Sequence, residues 1–223
     1  MNTIKSLMLP CLLCSLLIFS SAFDGSKETE KLHSATNVLK DFGRMKETIP
    51  HDLLDECQGI IIVPNLINAG FGVGAKRGKG VAMVKLDDGK WSDPVFVTLT
   101  GGSFGFQIGV QSVDLVLVFR HKGVLTKVKN GDFTIGGDAS AAAGPVGRNT
   151  SASTDYKLEA EVYSYSRSRG LFAGISINGS NLGIDKKANA NYYGQDVSSQ
   201  DIFESAKSKT DAVRLLKETL KGL

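Results

Sequence analysis

In 223 residues, 26 Lys and Arg face 23 Asp and Glu, and the formal net charge of +3 is too balanced for bulk nucleic-acid binding. The 25 glycines lie inside alternating apolar segments beside only 5 prolines, which excludes a low-complexity disordered tract and favours a β-rich globule with tight turns. Two of the 3 cysteines, Cys11 and Cys14, fall in a leader-like segment and leave Cys57 alone, so neither a disulfide framework nor a cysteine metal site can form within one mature chain.

The first residues read as a targeting segment. Lys5 supplies a positive start, residues 7–19 are apolar but too few to span a bilayer, and Ser20, Ser21 and Ala22 offer the small side chains a signal peptidase needs. Residues 1–22 are therefore expected to be a secretory signal peptide. Residues 23–223 are expected to form one exported domain, periplasmic or extracellular, whose net charge falls to +2 once Lys5 is removed.

A helix opens that domain. Leu32, Ala35, Leu39, Phe42, Met45 and Ile49 recur three and four residues apart, which places them on one apolar stripe. Lys27, Lys31, Lys40, Arg44 and Lys46 sit largely off it, among Glu28, Glu30, Asp41 and Glu47. Such a helix either turns its stripe to a core and its charges to solvent, or lies on an anionic membrane surface. Pro50 ends it and starts a short second helix over residues 50–56. Cys57, with no base near it in a recognisable pattern, reads as a small buried hydrophobe.

A long β region follows. Residues 59–63 form a buried-strand run stopped by Pro64, residues 70–75 and 81–86 are further strands, and Asp88-Gly89 marks a hairpin turn before Trp91. Strands over 95–100, 101–110 and 113–119 come next. The middle one sets Phe104, Phe106, Ile108 and Val110 on one face and Ser103, Gly105, Gln107 and Gly109 on the other.

Three apparent motifs in this region fail on their chemistry. Gly101-Gly102-Ser103-Phe104-Gly105 fits G-x-S-x-G, but a nucleophile elbow needs a helix after the serine and a later acid and histidine, whereas strand pattern follows and only His121 lies downstream. Residues 72–80 resemble a phosphate loop but carry Val73 at the first Walker glycine and Gly80 at the magnesium-binding Ser or Thr. Arg77 breaks the dinucleotide fingerprint. His33, His51 and His121 lack chelating spacing, so no metal, cofactor or catalytic group is expected.

Residues 122–129 read as a basic helical turn ended by Asn130-Gly131, and residues 133–143 as strand. Arg148 closes a glycine-punctuated loop over 143–149, a turn or an anion nest. In residues 161–177 a strand alternates Tyr163, Tyr165, Arg167 and Arg169 with Val162, Ser164, Ser166 and Ser168, one bulky face against a nearly bare one that another element can approach closely. Arginines there need partners if they point inward, and solvent or anions if they point outward. Asn178-Gly179 is a hairpin signal, residues 189–194 read as irregular, and Ser208 is positioned to cap a last helix with Asp211 three residues on and Val213, Leu216 and Leu220 inward.

Five ordered motifs together resemble the SYLF domain: I-P-x-x-L-L-x-x-C-x-G-I at 49–60, G-x-W-S-x-P at 89–94, G-x-S-x-G-x-Q-I-G at 101–109, A-G-P-V-G-R at 143–148 and Y-S-Y-S-R-S-R-G-L-F-A-G at 163–174. The likeness runs from about residue 30 to residue 205. It implies binding instead of catalysis, since members of that family bind phosphoinositide membranes or, in yeast, actin, and exported bacterial members are regarded as lipid-binding. It also implies membrane contact through a basic N-terminal helix. The expectation is thus an α+β domain, an antiparallel, barrel-like sheet flanked by N- and C-terminal helices, that binds anionic phospholipid as a peripheral membrane protein. Its candidate contacts are Lys27, Lys31, Lys40, Arg44, Lys46, Arg148, Arg167 and Arg169. The rival reading is a protein-binding, actin-binding-like module.

Overall fold

The computed structural model describes residues 25–45, 48–121, 133–144, 160–168, 171–172, 175–195 and 197–223, with the backbone alone at 25, 72, 103–108 and 172. Its helices are α1 (Gly25–Arg44), α2 (His51–Glu56), α3 (Lys186–Tyr193), α4 (Ser199–Phe203) and α5 (Asp211–Lys221). Its strands are β1 (Gly59–Val84), β2 (Val95–Phe119), β3 (Phe133–Ile135), β4 (Ala141–Ala143), β5 (Val162–Ser168), β6 (Leu171–Phe172) and β7 (Ser180–Ile184). The strands make one sheet in the order β3-β7-β2-β5-β4, with β1 on the other edge of β2 and β6 on β5, antiparallel except where β4 meets β5. The expected α+β class holds: a mostly antiparallel, nearly closed, barrel-like sheet with helices from both ends of the chain.

The apolar runs at 60–63 and 115–119 do not alternate because the sheet is buried on both faces. Ile60, Ile62, Val116, Val118, Tyr163 and Tyr165 pack under Leu32, Leu39 and Phe42 of α1 and Val213 and Leu216 of α5. Ile61, Val63, Leu115, Leu117 and Phe119 face the opposite way, onto Phe133, Leu182, Ile202 and Phe203. A strand covered on both sides loses its period-two signature.

Several expected boundaries moved. The six short strands expected between 59 and 119 are two long ones, a hairpin paired from Gly59↔Phe119 to Ala82↔Val95. Pro64 does not stop the strand; a bulge between Val63 and Leu66 absorbs it, with Asn65 at φ 51 and its N–H donated to the Asp114 carboxylate at 3.0 Å. Glycines then let β1 fold across its own beginning: a Cβ on Gly80 would stand 2.1 Å from the Ile62 carbonyl oxygen, and one on Gly78 2.5 Å from Val63 Cγ1. Residues expected to be irregular after 189 belong to α3, where Asp185 caps by accepting from the Ala188 N–H at 3.1 Å. Thr210 precedes the last helix in place of Ser208, whose N–H is donated to Asp93 Oδ2 at 2.9 Å. The basic turn at 122–129 lies outside the described residues.

Candidate binding surfaces

The sequence set two candidate surfaces, a basic helix and a group of arginines. In α1 the apolar stripe is fully used: Leu32, Ala35, Val38, Leu39 and Phe42 are buried in the core beneath it. Only its charged side faces outward, with Lys27 and Arg44 exposed and Lys31 and Lys40 half-buried. Burial and the nearby Lys79 ammonium push the Lys31 pKa below the usual lysine range, against the opposing pull of Asp185. Lys46 lies outside the described residues.

Arg167 points inward. Its Nη2 lies 2.5 Å from Asp41 of α1 and 2.7 Å from Asp114 of β2, so this guanidinium clamps the helix to the sheet. Asp114 thereby serves two purposes, holding Arg167 and accepting the bulge N–H of Asn65. Arg148 and Arg169 lie outside the described residues.

The motifs that carried the family likeness turn out to be structural joints. Ser92 accepts from the Val84 N–H at 3.0 Å, and buried Asp93 takes the Lys217 ammonium at 2.7 Å, which ties the closed end of the hairpin to α5. Gly101, the first glycine of G-x-S-x-G, pairs with Ser180 of β7, and a Cβ there would meet Ser180 Oγ at 2.8 Å. Ser103 itself pairs with Gly74 in mid-strand, and the chain stays extended to Phe119, so no elbow forms. A Cβ on Gly144 would stand 2.1 Å from Tyr165 Cζ, which explains the glycine in A-G-P-V-G-R as space for a buried ring. Burial raises the Cys57 thiol to about 11, and its Sγ donates to the Leu54 carbonyl at 3.0 Å, so it is no nucleophile at neutral pH. Among the described residues no three His, Cys, Asp or Glu side chains converge on a metal site.

A third surface escaped the sequence reading. Where β1 and β2 bend, five large apolar side chains stand in solvent: Phe71 is 78 % exposed, Val110 76 %, Leu171 74 %, Val73 68 % and Ile67 43 %. Gly70 and Gly74 approach so closely that a Cβ on Gly70 would lie 2.7 Å from the Gly74 Cα, and the register shifts between Phe71 and Gly72. Ser168 Oγ donates to the Ser112 carbonyl at 3.3 Å and sets β6, with Leu171, beside the base of this bend. Strand alternation was legible here, but the same pattern fits a strand with either face buried. At its far end Lys76 is buried, its ammonium donated to the Ser176 carbonyl, and desolvation lowers its pKa.

These features define an α+β domain: a barrel-like sheet sealed by helices, with exposed cations on one helix and exposed apolar side chains on a bent ribbon. Residues 100–223, more than half of the chain, match the family described as Ysc84, Las17-binding protein actin regulator, and the chain belongs to that family, which is the one its SYLF motifs indicated. It is 38 % identical over 169 residues to SH3 domain-containing YSC84-like protein 1 of Xenopus laevis, covering 73 % of this chain and 50 % of that one. It is 36 % identical over 176 residues to the Homo sapiens protein of the same name, covering 76 % and 51 %. To LAS seventeen-binding protein 3 of Saccharomyces cerevisiae it is 32 % identical over 185 residues, covering 79 % and 39 %. The chain thus spans about half the length, or less, of these relatives.

Proposed function

We propose that this chain is a non-catalytic binding module whose partner is a protein of the actin-regulatory kind that its family's description and its yeast relative's name specify for them. The family match is the observation that carries the reading. The placement of Ser103 in mid-strand and the protonated Cys57 add support, since neither offers an activated nucleophile. Co-sedimentation of the purified chain with actin filaments, beside a pull-down on immobilised Las17, tests it. Retention by either supports the reading, and retention by neither refutes it.

A second reading is contact with an anionic membrane surface, and a specific observation favours it. The exposed apolar side chains of the ribbon are followed in β1 by the exposed Arg77, with no acid between residues 65 and 84. Lys27, Lys40 and Arg44 on the outer side of α1 are further candidate contacts in this reading. Residues 1–22, read as a signal peptide, would bring the domain to a compartment bounded by lipid.

A further inference from the structure

Residues 65–75 of β1 and 102–113 of β2 form a two-stranded ribbon that pairs with no third strand among the described residues: β7 takes β2 only at 97–101 and β5 takes it only at 114–119. An isolated two-stranded ribbon is marginal in water, and natural sheets usually protect such edges with charge or proline. Here the protection is missing. Residues 65–75 and 94–113 hold no Asp, Glu, Lys or Arg, and the ribbon itself holds no proline. Ala69 pairs with Val110 and Phe71 with Ile108, so Phe71 and Val110 are diagonal neighbours on one face. The first charges reached along β1 are Lys76, Arg77 and Lys79, and Arg77 is exposed four residues, about 13 Å of extended chain, beyond Val73.

We propose that this ribbon is the part of the domain that enters an anionic bilayer, with Phe71, Val73, Val110 and Leu171 in the headgroup–acyl boundary and Arg77 at the lipid phosphates. The inference rests on the membrane reading above and assigns its site. Charge complementarity selects the occupant: the ribbon carries no acid, the Lys76 and Lys79 ammonium groups beyond it are taken up by the Ser176 carbonyl and the Asp185 carboxylate, and the exposed Arg77 guanidinium is the charge this end presents to an acidic surface. The helix expected to serve as membrane anchor cannot insert, because its apolar stripe is already buried under α5 and against β1. Phe71 and Val110, each more than three-quarters exposed, stand out from the surface, and that suits a fluid boundary needing no matching pocket.

The test compares the full chain with Phe71→Asp/Val110→Asp, Lys27→Glu/Lys40→Glu/Arg44→Glu and Phe71→Trp, using vesicles of phosphatidylcholine alone or mixed with phosphatidylserine. The native chain is expected to co-sediment with the mixed vesicles, and the aspartate pair to weaken binding at least about tenfold without lowering the thermal midpoint. Phe71→Trp, read against the buried native Trp91, should shift its emission to the blue and be quenched by acyl-chain-brominated lipid. Failure of the native chain to bind either vesicle refutes the membrane reading and the inference with it. Native binding that the aspartate pair leaves intact, with no quenching of Phe71→Trp, overturns the ribbon alone and keeps the reading. Loss of binding only in the helix variant overturns it in favour of α1, and loss of actin binding but not vesicle binding in the aspartate pair overturns it in favour of a protein contact.

Discussion

Gly80 shows how much can hang on one absent methyl group. Its Cα lies where β1 passes over the Ile62 carbonyl, with Ile62 C and Val63 Cα both 2.9 Å from any added Cβ, and all of these are backbone atoms that cannot swing aside. Gly80→Ala should therefore cost at least about 2 kcal/mol through overpacking, seen as a lower urea midpoint. Gly179, by contrast, sits at φ +73 in open space, where Gly179→Ala should cost about 1 kcal/mol from backbone conformation alone. Equal effects at the two sites would contradict this account of β1. The sequence marks both residues as glycine, but a crossing of two segments eighteen residues apart is not local information. Cys57 was legible as a buried small hydrophobe because a lone cysteine with no base near it in a recognisable pattern behaves as a small apolar side chain.

Elements in this domain are fastened by a few buried polar joints. Buried Asp93 takes the Lys217 ammonium on one oxygen and the Ser208 N–H on the other, both contacts half-buried. Asp93→Ala would strand both donors, and we expect a loss of about 3 kcal/mol with faster amide exchange concentrated in α5. Asp185 fixes the start of α3. Burial works to raise its pKa, but the Lys79 ammonium at 2.7 Å and the Ala188 N–H outweigh it and leave the carboxyl below its ordinary value. A carboxyl depressed in the folded state stabilises the fold above its unfolded pKa and loses that contribution as pH falls through its folded value. Asp185→Asn should thus lower stability at pH 7 and shrink the loss on going below about pH 4, in urea melts at the two pH values. An acid limb as steep as that of the native chain would count against it. Neither joint was readable beforehand. In α3 the amide of Asn189 accepts from the Phe96 N–H at 2.9 Å and donates to the Phe96 carbonyl at 3.0 Å, standing in for a neighbouring strand; no local pattern announces a side chain that bonds 93 residues away.

For the molecule as a whole, we propose export, and the expected mature N-terminus is Phe23; Edman sequencing of secreted material showing residues 7–19 still attached would refute it. By itself the sequence determined the fold class, the presence of α1, α2, the Asp88-Gly89 turn and the family, because helix stripes, turn dipeptides and motif order are written in neighbouring residues, whereas α1 stops at Arg44, short of the Pro50 expected to end it. Arg167 could be read from the chain only as an inward or outward arginine. Tertiary structure alone decided that it clamps α1 to β2, since Asp41 and Asp114 reach it from 126 and 53 residues away in the chain. The same holds for the two apolar surfaces. The stripe of α1 and the alternating face of the ribbon look alike as patterns of hydrophobic residues; folding buries the first under α5 and leaves Phe71, Val73 and Val110 in solvent, because which apolar face finds a partner depends on what the rest of the chain packs against it.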